Sequence, residues 1–520
     1  MSRQIVLATP AGTVEELRRT ARSVLASTMR PTHWIVAGSA VEHERVTRSR
    51  DLRRSRIVVA RDDLPIDNGA IVVFMDSGTL LDPDAIATID GVLQPGSPHR
   101  GVYGDSTHRA EGRLAAPAEV RRPQWSPERL RSHCYVGDLV AVEGAVASAA
   151  GGAAALARMH PHDRALRLAE AAAGLDRIAE ILSHRDDTDS APTASLDAVL
   201  AHCARTSVDA ECTADQVVAA VRVSRRLRRR PTISAIMPTR GTVGPVRGHE
   251  VVLGAHAIAS LPSAEEMPEL QIVAVFDHDT PHEARDAIRA AAGHRLVEVE
   301  WEQPFNFAEK VNLGVLESDG ELLLLLNDDT EMITPDALDV LAGILEDPGV
   351  AAAGPMLLYE DGLIQSAGHL LNPIPYDLYR HCDPAHVGAQ NLLRVQREVS
   401  GVIAAFAMVR RAAFLEAGGL CPAFPLNYND VDFCLKLQYL GYRIVWTPHA
   451  QVHHFESRTR NPSLQPFEME MLGARWRDRL DDDPYFNPRL ERYVSTWKPD
   501  RFGQDALSAA LGPTAPIASK

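Results

Sequence analysis

The sharpest chemical signal in the sequence is Asn327-Asp328-Asp329, set directly after the leucines Leu322 to Leu326. An all-apolar run of this length predicts a buried strand of a parallel sheet, and α/β folds bind ligands at the carboxyl ends of such strands. Residues two apart on extended chain share a face, so Asn327 and Asp329 are expected in one pocket while Asp328 points elsewhere. Oxygen donors at such an edge suit Mg2+ or Mn2+ held jointly with substrate phosphates. Taken alone, the triplet reads equally as a polar turn with an N-cap. Further on, Tyr428-Asn429-Asp430-Val431-Asp432 opens a helix with Val431 and Leu435 on its buried stripe and Asn429 or Asp430 as its cap. His453 and His454 follow a strand at Arg443 to Trp446; neighbours on extended chain face opposite ways, so at most one of the two meets a metal beside Asp329.

These residues need a sheet to position them, and the chain carries the pattern for two. One series of apolar runs begins at Ile5, Trp34, Ile57 and Ile71, with a helical stretch from Glu15 to Leu25. A second begins at Ile233, Leu270 and Leu322, with a helix near Val251 to Ser260. Short apolar strands alternating with helices predict a parallel α/β sheet covered on both faces. The repeat is clearest where GAIVVFMDSGTLLDPDAIATIDGVL from Gly69 lines up with GELLLLLNDDTEMITPDALDVLAGIL from Gly320. Both hold a strand, a polar turn, and Pro-Asp-Ala opening a helix, as Pro and Asp suit a helix start. A repeat spanning half the chain predicts a duplicated domain with one strand order in both copies. The expected boundaries are 1–190, a helical connector at 191–230, a second domain at 231–460, and a helical tail at 461–520.

A length of 520 residues allows about three domains or two larger ones. The formal charge of −15 argues against nucleic acid as a partner. The basic run Arg225 to Arg230 reads as a solvated linker, with acidic lipid head groups as its alternative partner. Six cysteines without a CxxC pair suggest neither a disulfide framework nor a zinc knuckle, and fit a reducing cytoplasm. The N-terminus enters a strand-like run without a signal-peptide pattern, and no apolar run approaches the ~20 residues that span a bilayer.

Several longer segments resemble the family 2 glycosyltransferases of bacterial cell-surface polysaccharide synthesis, in particular the two-domain rhamnosyl- and galactofuranosyltransferase-like type. They are PFNFAEKVNLG, GELLLLLNDDTEMITPDAL, AAAGPMLLYEDGLIQSAGHLL, SGVIAAFAMVRRAAFLEAGGL, NYNDVDFCLKLQYLGYRIVWTPHAQVHHFES and Asp483-Pro484-Tyr485-Phe486-Asn487-Pro488. Together they cover residues 231–490 almost continuously. The resemblance implies a GT-A fold and inverting transfer from a nucleotide-sugar, a UDP- or dTDP-sugar, with a divalent metal, Mn2+ or Mg2+. It implies that Asn327 and Asp329 form the Asp-x-Asp metal motif, with Asn327 departing from the usual acid, and that His453, or else His454, completes it. It implies Asp430 as general base, with Asn429 replacing the usual preceding acid. Pro238, Thr239, Arg240, Asp277 and Asp328 fall on the donor side, and Asn306, Lys310 and Asn312 resemble the segment that closes over the nucleotide. Such chemistry needs a base because a hydroxyl is a weak nucleophile until it loses its proton, and it needs positive charge on the departing diphosphate.

PQWSPERLRSHCYVGDLVAV from Pro123 resembles the first domain of two-domain members. In that half the acidic turn is reduced to Asp76-Ser77-Gly78, and GGAAALARMHPHDRALRLAEAA reads as plain helix, so 1–190 is expected to be a degenerate, inactive copy. The expected protein is thus a cytoplasmic glycosyltransferase, in peripheral contact with the inner face of the membrane, acting on a glycan or lipid-linked acceptor. Its rivals are a catalytically inactive pseudo-glycosyltransferase serving as a binding or scaffold subunit, and a nucleotidyltransferase.

Overall fold

The structure is a computed structural model and describes residues 3–38, 57–60, 64–109, 118–185, 195–456 and 465–498. Two sheets of mixed direction dominate it. The first has nine strands: β1 (Ile5–Pro10), β2 (His33–Ala37), β3 (Val58–Ala60), β4 (Ile71–Met75), β5 (Leu80–Leu81), β6 (Gly101–His108), β7 (Ala118–Val120), β8 (Leu139–Glu143) and β9 (Asp176–Arg185). The second repeats them as β10 (Ile233–Thr239), β11 (Leu270–Asp277), β12 (Leu296–Trp301), β13 (Leu322–Leu326), β14 (Thr330–Met332), β15 (Val350–Leu358), β16 (Ile364–Ser366), β17 (Phe406–Arg410) and β18 (Arg443–His454), and adds a tenth, short strand, Arg397–Glu398, beside β18. Their orders are β3-β2-β1-β4-β8-β6-β9-β5 and β12-β11-β10-β13-β17-β15-β18-β14, which coincide strand for strand. Directions coincide as well: β1 is parallel to β2 and β4, and β10 to β11 and β13, whereas β8 and β17 run antiparallel to their neighbours.

The five leucines of β13 show why the pattern folds this way. All are buried. Leu322, Leu324 and Leu326 join one core with Leu338 and Leu341, while Leu323 and Leu325 join the other with Val311 and Val315. That is the period-2 division of a strand covered on both faces, and burying each such side chain contributes about 1.5–3 kcal/mol.

Three local expectations change. The connector is a helix, Leu196–Arg205, followed by a hairpin of Ala210–Ala214 with Val221–Arg225, because Val221-Arg222-Val223 alternates as a strand does. Its basic run is largely paired: Arg225 meets Glu128 at 2.6 Å, Arg229 meets Glu321 at 2.6 Å, and Arg230 meets Asp339 at 3.7 Å. The stretch read as one helix from Gly151 is two, Ala153–Arg158 and Pro161–Ala172, divided at Pro161, which suits the start of the second. In the tail, a helix spans Pro466–Asp481, and residues 499–520 lie outside the described residues. Among the described residues no helix is long and apolar enough to cross a membrane.

The two sheets are joined through buried polar contacts. Ser126 Oγ donates to Glu398 Oε2 at 2.5 Å, and Arg443 of β18 lies 3.7 Å from Glu128 Oε1. In the tail, Asn487 Nδ2 donates to Asp105 Oδ2 of β6 at 2.9 Å.

Candidate active site

The carboxyl ends of β10 and β13, together with the end of β18, border a cleft of ≈ 690 Å3 lined in part by Thr239, Lys310, Asp329, Asp430 and His454; Asp277, at the end of β11, is not on its wall. That size suits a small-molecule ligand. β10 ends in Pro238 and Thr239, and the chain turns away at Gly241, whose φ of +68° and 2.6 Å clearance from Ala284 to any added Cβ favour glycine. Thr239 Oγ1 donates to Asp328 Oδ2 at 2.7 Å and accepts from Gly241 N at 3.0 Å. Burial, reinforced by the adjacent Asp329, pushes the Asp328 carboxyl up to about 7.

The acidic turn divides as its spacing predicts. Asp328 reaches back to Thr239, while Asp329 Oδ1 lies 3.3 Å from His454 Nε2. Asn327 Nδ2 is 3.4 Å from the same imidazole nitrogen, and Asn327 Oδ1 is buried without a hydrogen-bond partner. The expectation that favoured His453 is corrected by the register of β18 against β14. His453 pairs with Glu331 and turns its Nδ1 to Tyr359 O at 2.9 Å, outside the cleft. His454 takes the inward face, held by Gln365 Oε1 at 2.8 Å from its Nδ1. Among the described residues, no three His, Cys, Asp or Glu side chains converge; the groups that meet here are one carboxylate, one imidazole and one amide.

Beside the end of β10, the helix α1 (Phe307–Leu316) presents Lys310, whose side chain is wholly buried. Its ammonium lies 3.1 Å from Asp277 Oδ1 and 3.3 Å from Thr239 O. Burial lowers its pKa, against the opposing pull of Asp277. Lys310 is thus neither an exposed helical lysine nor one extended into solvent for a phosphate; it ties the ends of β10 and β11 together. Arg240 is the more accessible cation, with its Nε 3.5 Å from Asp277 Oδ2 and its side chain 56% exposed.

Asn306 and Asn312 are not on the cleft wall. Asn306 caps α1, accepting from Glu309 N at 3.2 Å while its amide donates to Pro422 O at 2.9 Å. Asn312 spends both ends of its amide on the backbone of Leu420, each at 2.8 Å. Both side chains fasten α1 to the loop after β17, so their place in the segment is structural.

Asp430 also lines the cleft, in the first turn of α2 (Asn429–Tyr439). The cap is neither of the expected residues: Tyr428 takes it, at φ 56°, and Asn429 is the first helical residue. Asp430 Oδ1 accepts from Val431 N at 2.8 Å and Oδ2 from Ala404 N at 3.4 Å, so both oxygens are held near the wall. Asp432 is buried on the far side, where Trp476 Nε1 donates to it at 2.8 Å and Arg475 lies at 3.3 Å.

Sequence reasoning missed the wall between β15 and β17. His369, Tyr376, Asp377 and Arg380 line the cleft there, beside Glu456 from the end of β18. Strands of three residues, His369–Leu371 and Pro375–Asp377, give too short a pattern to recognise, although Ser366-Ala367-Gly368-His369 is a turn-like signal that marks the place.

In the first sheet the equivalent position is filled from within. Asp76, at the position of the acidic turn, forms an ion pair with Arg164 from the helix before β9, so a guanidinium sits against the lone carboxylate.

No family model matches the chain. It is similar to the O-antigen biosynthesis protein RfbC of Myxococcus xanthus, 27% identical over 94% of this chain and 40% of that protein. It is similar to the uncharacterized protein y4gI of Sinorhizobium fredii, 26% identical over 82% of this chain and 49% of that protein. The chain therefore spans less than half the length of either curated relative. A solved structure, GalNAc-T7 with UDP, GalNAc and Mn2+, superposes on 51% of each chain at 13% identity with a TM-score of 0.38.

Proposed function

We propose that the chain is an inverting, metal-dependent glycosyltransferase of family 2 type that moves a sugar from a nucleotide-sugar to a hydroxyl of a cell-envelope polysaccharide or glycolipid. The observation that carries this reading is the meeting of three groups in one cleft of ≈ 690 Å3: Thr239 and Arg240, the pair Asp329 and His454, and the carboxylate of Asp430. Similarity to an O-antigen biosynthesis protein over 94% of the chain supports the envelope-polysaccharide direction.

The residues fit a divalent cation. Asp329 Oδ1 and His454 Nε2 are 3.3 Å apart, close to the ~3 Å between neighbouring ligands of a cation octahedrally bound at about 2.1 Å. The orphaned Asn327 Oδ1 supplies a third donor. These three side chains would hold Mn2+ or Mg2+, which when bound neutralises charge on the departing diphosphate. Arg240, held by Asp277 at 3.5 Å, binds and orients the UDP or dTDP portion, and Thr239 fixes Asp328 beneath it. Asp430 accepts the proton of the acceptor hydroxyl, which frees the oxygen to attack the anomeric carbon from the face opposite the diphosphate. A single displacement of this kind uses no protein nucleophile. The first sheet, with Arg164 against Asp76, acts in acceptor or subunit positioning rather than in transfer. The setting is the cytoplasmic face of the membrane, with a glycan or lipid-linked acceptor.

The test is incubation of the purified chain with UDP-, dTDP- and GDP-sugars and Mn2+, following release of the nucleoside diphosphate. One donor is expected to be consumed, and consumption to stop with a chelator. A chain that consumes none of them while binding a nucleoside diphosphate would favour the scaffold reading.

A further inference from the structure

The cleft wall opposite the donor pocket carries an unassigned pair. His369 and Asp377 face each other across the hairpin of His369–Leu371 and Pro375–Asp377, and both line the cleft. His369 Nε2 stands 3.7 Å from Asp377 Oδ1, beyond direct hydrogen bonding. Asp377 Oδ1 and His369 Nδ1 are buried without hydrogen-bond partners. An unsatisfied buried polar group costs about 1–3 kcal/mol; Asp377, which carries one, lines the cleft, whereas His369 Nδ1 lies against Gly401. The first strand of the hairpin is anchored at both ends, since His369 N donates to Gly401 O at 2.7 Å and Leu371 N donates to Asp483 Oδ2 at 2.7 Å. Burial raises the Asp377 carboxyl, as does the nearby Asp430, while His369 and Ser366 oppose the rise.

Resting on the glycosyltransferase reading, we propose that His369 and Asp377 bind the acceptor hydroxyl next to the one that Asp430 deprotonates, so that the acceptor is a sugar offering a vicinal diol. The surroundings fit a neutral sugar rather than an anionic head group. Arg380 is already engaged by Glu456 at 3.5 Å and by the Tyr359 hydroxyl at 2.5 Å, and Asp377, Asp430 and Glu456 make this wall acidic. Tyr376 on the same wall supplies an aromatic surface of the kind that sugars pack against.

The experiment uses the full chain loaded with UDP or dTDP and Mg2+, titrated with methyl glycosides of glucose, galactose, mannose and rhamnose and their monodeoxy analogues, with dissociation constants from ligand-observed NMR. At least one glycoside is expected to bind, and to bind at least tenfold more weakly when one hydroxyl of the diol is missing. Asp377→Asn and His369→Gln are each expected to weaken it at least tenfold while nucleotide affinity stays within twofold, which also reports an intact fold. If either variant loses nucleotide binding, the other and Asp377→Glu decide. Unchanged glycoside binding in folded variants, or none to the nucleotide-loaded wild type, overturns the acceptor pair and leaves the transferase reading standing. Absence of nucleotide binding with Mg2+ overturns that reading, and the acceptor pair with it.

Discussion

Replacing Lys310 by Met removes the cation that joins β10, β11 and α1 at the cleft floor. The ammonium lies 3.1 Å from Asp277 Oδ1, so at an effective dielectric of about 20 the attraction is about 5 kcal/mol before desolvation is charged against it. The lysine side chain is fully buried and the aspartate 10% exposed, so removing the lysine alone leaves a buried carboxylate. Such single removals cost about 3–5 kcal/mol. Arg240, 3.5 Å from the other carboxylate oxygen, partly compensates, which places Lys310→Met near about 3 kcal/mol. Asp277→Asn alone strands the ammonium, whereas the double variant strands neither charge. A double-mutant cycle by urea denaturation, followed through tryptophan fluorescence, is therefore expected to give a coupling energy of about 2–3 kcal/mol, within the range for buried partners. Additivity within about 0.5 kcal/mol, as for independent sites, would refute the claim that this pair ties the pocket floor together.

Asp430→Asn is expected to lower transfer by about 10²–10⁴ while leaving nucleoside diphosphate affinity unchanged, checked by rate assay and calorimetry; retention of more than about a tenth of the rate would remove Asp430 from the role of base. Burial raises the Asp483 carboxyl to about 6, so its folded form holds a proton that the unfolded form releases above about 4. Its stabilising contribution is full below about pH 4 and is lost as pH rises through about 6, so the melting temperature of Asp483→Asn should climb relative to wild type between those values. Asp76→Asn strands Arg164 in the first sheet and should lower the melting temperature, yet leave metal-dependent nucleotide affinity unchanged, since the proposed donor site is confined to the second sheet.

The sequence pattern carried the strands well because their apolar runs are long and buried on both faces, as at Leu322 to Leu326 and Ile71 to Met75. The division of Asp328 from Asp329 was legible for the same reason, since alternation along an extended chain is geometric. Which histidine faces inward was not legible, because parity separates His453 from His454 but only the pairing of β18 with β14 fixes the sign. Asn306 and Asn312 misled because an amide that caps a helix or fastens a loop has the same identity as one that binds a ligand. Lys310 misled for a related reason: its burial follows from α1 packing over β10 and β11, a tertiary fact with no local signature. His369 and Asp377 escaped notice because they come together only across a hairpin of two short strands.

The central claim, a metal-assisted nucleotide site at Asp329 and His454, is tested most directly by calorimetric titration of UDP and dTDP into the full chain with and without Mn2+. At least one nucleotide is expected to bind more than tenfold more tightly with Mn2+, and Asp329→Asn and His454→Ala are each expected to abolish that difference. Nucleotide affinity that is indifferent to Mn2+, or a metal effect that survives both substitutions, would contradict it.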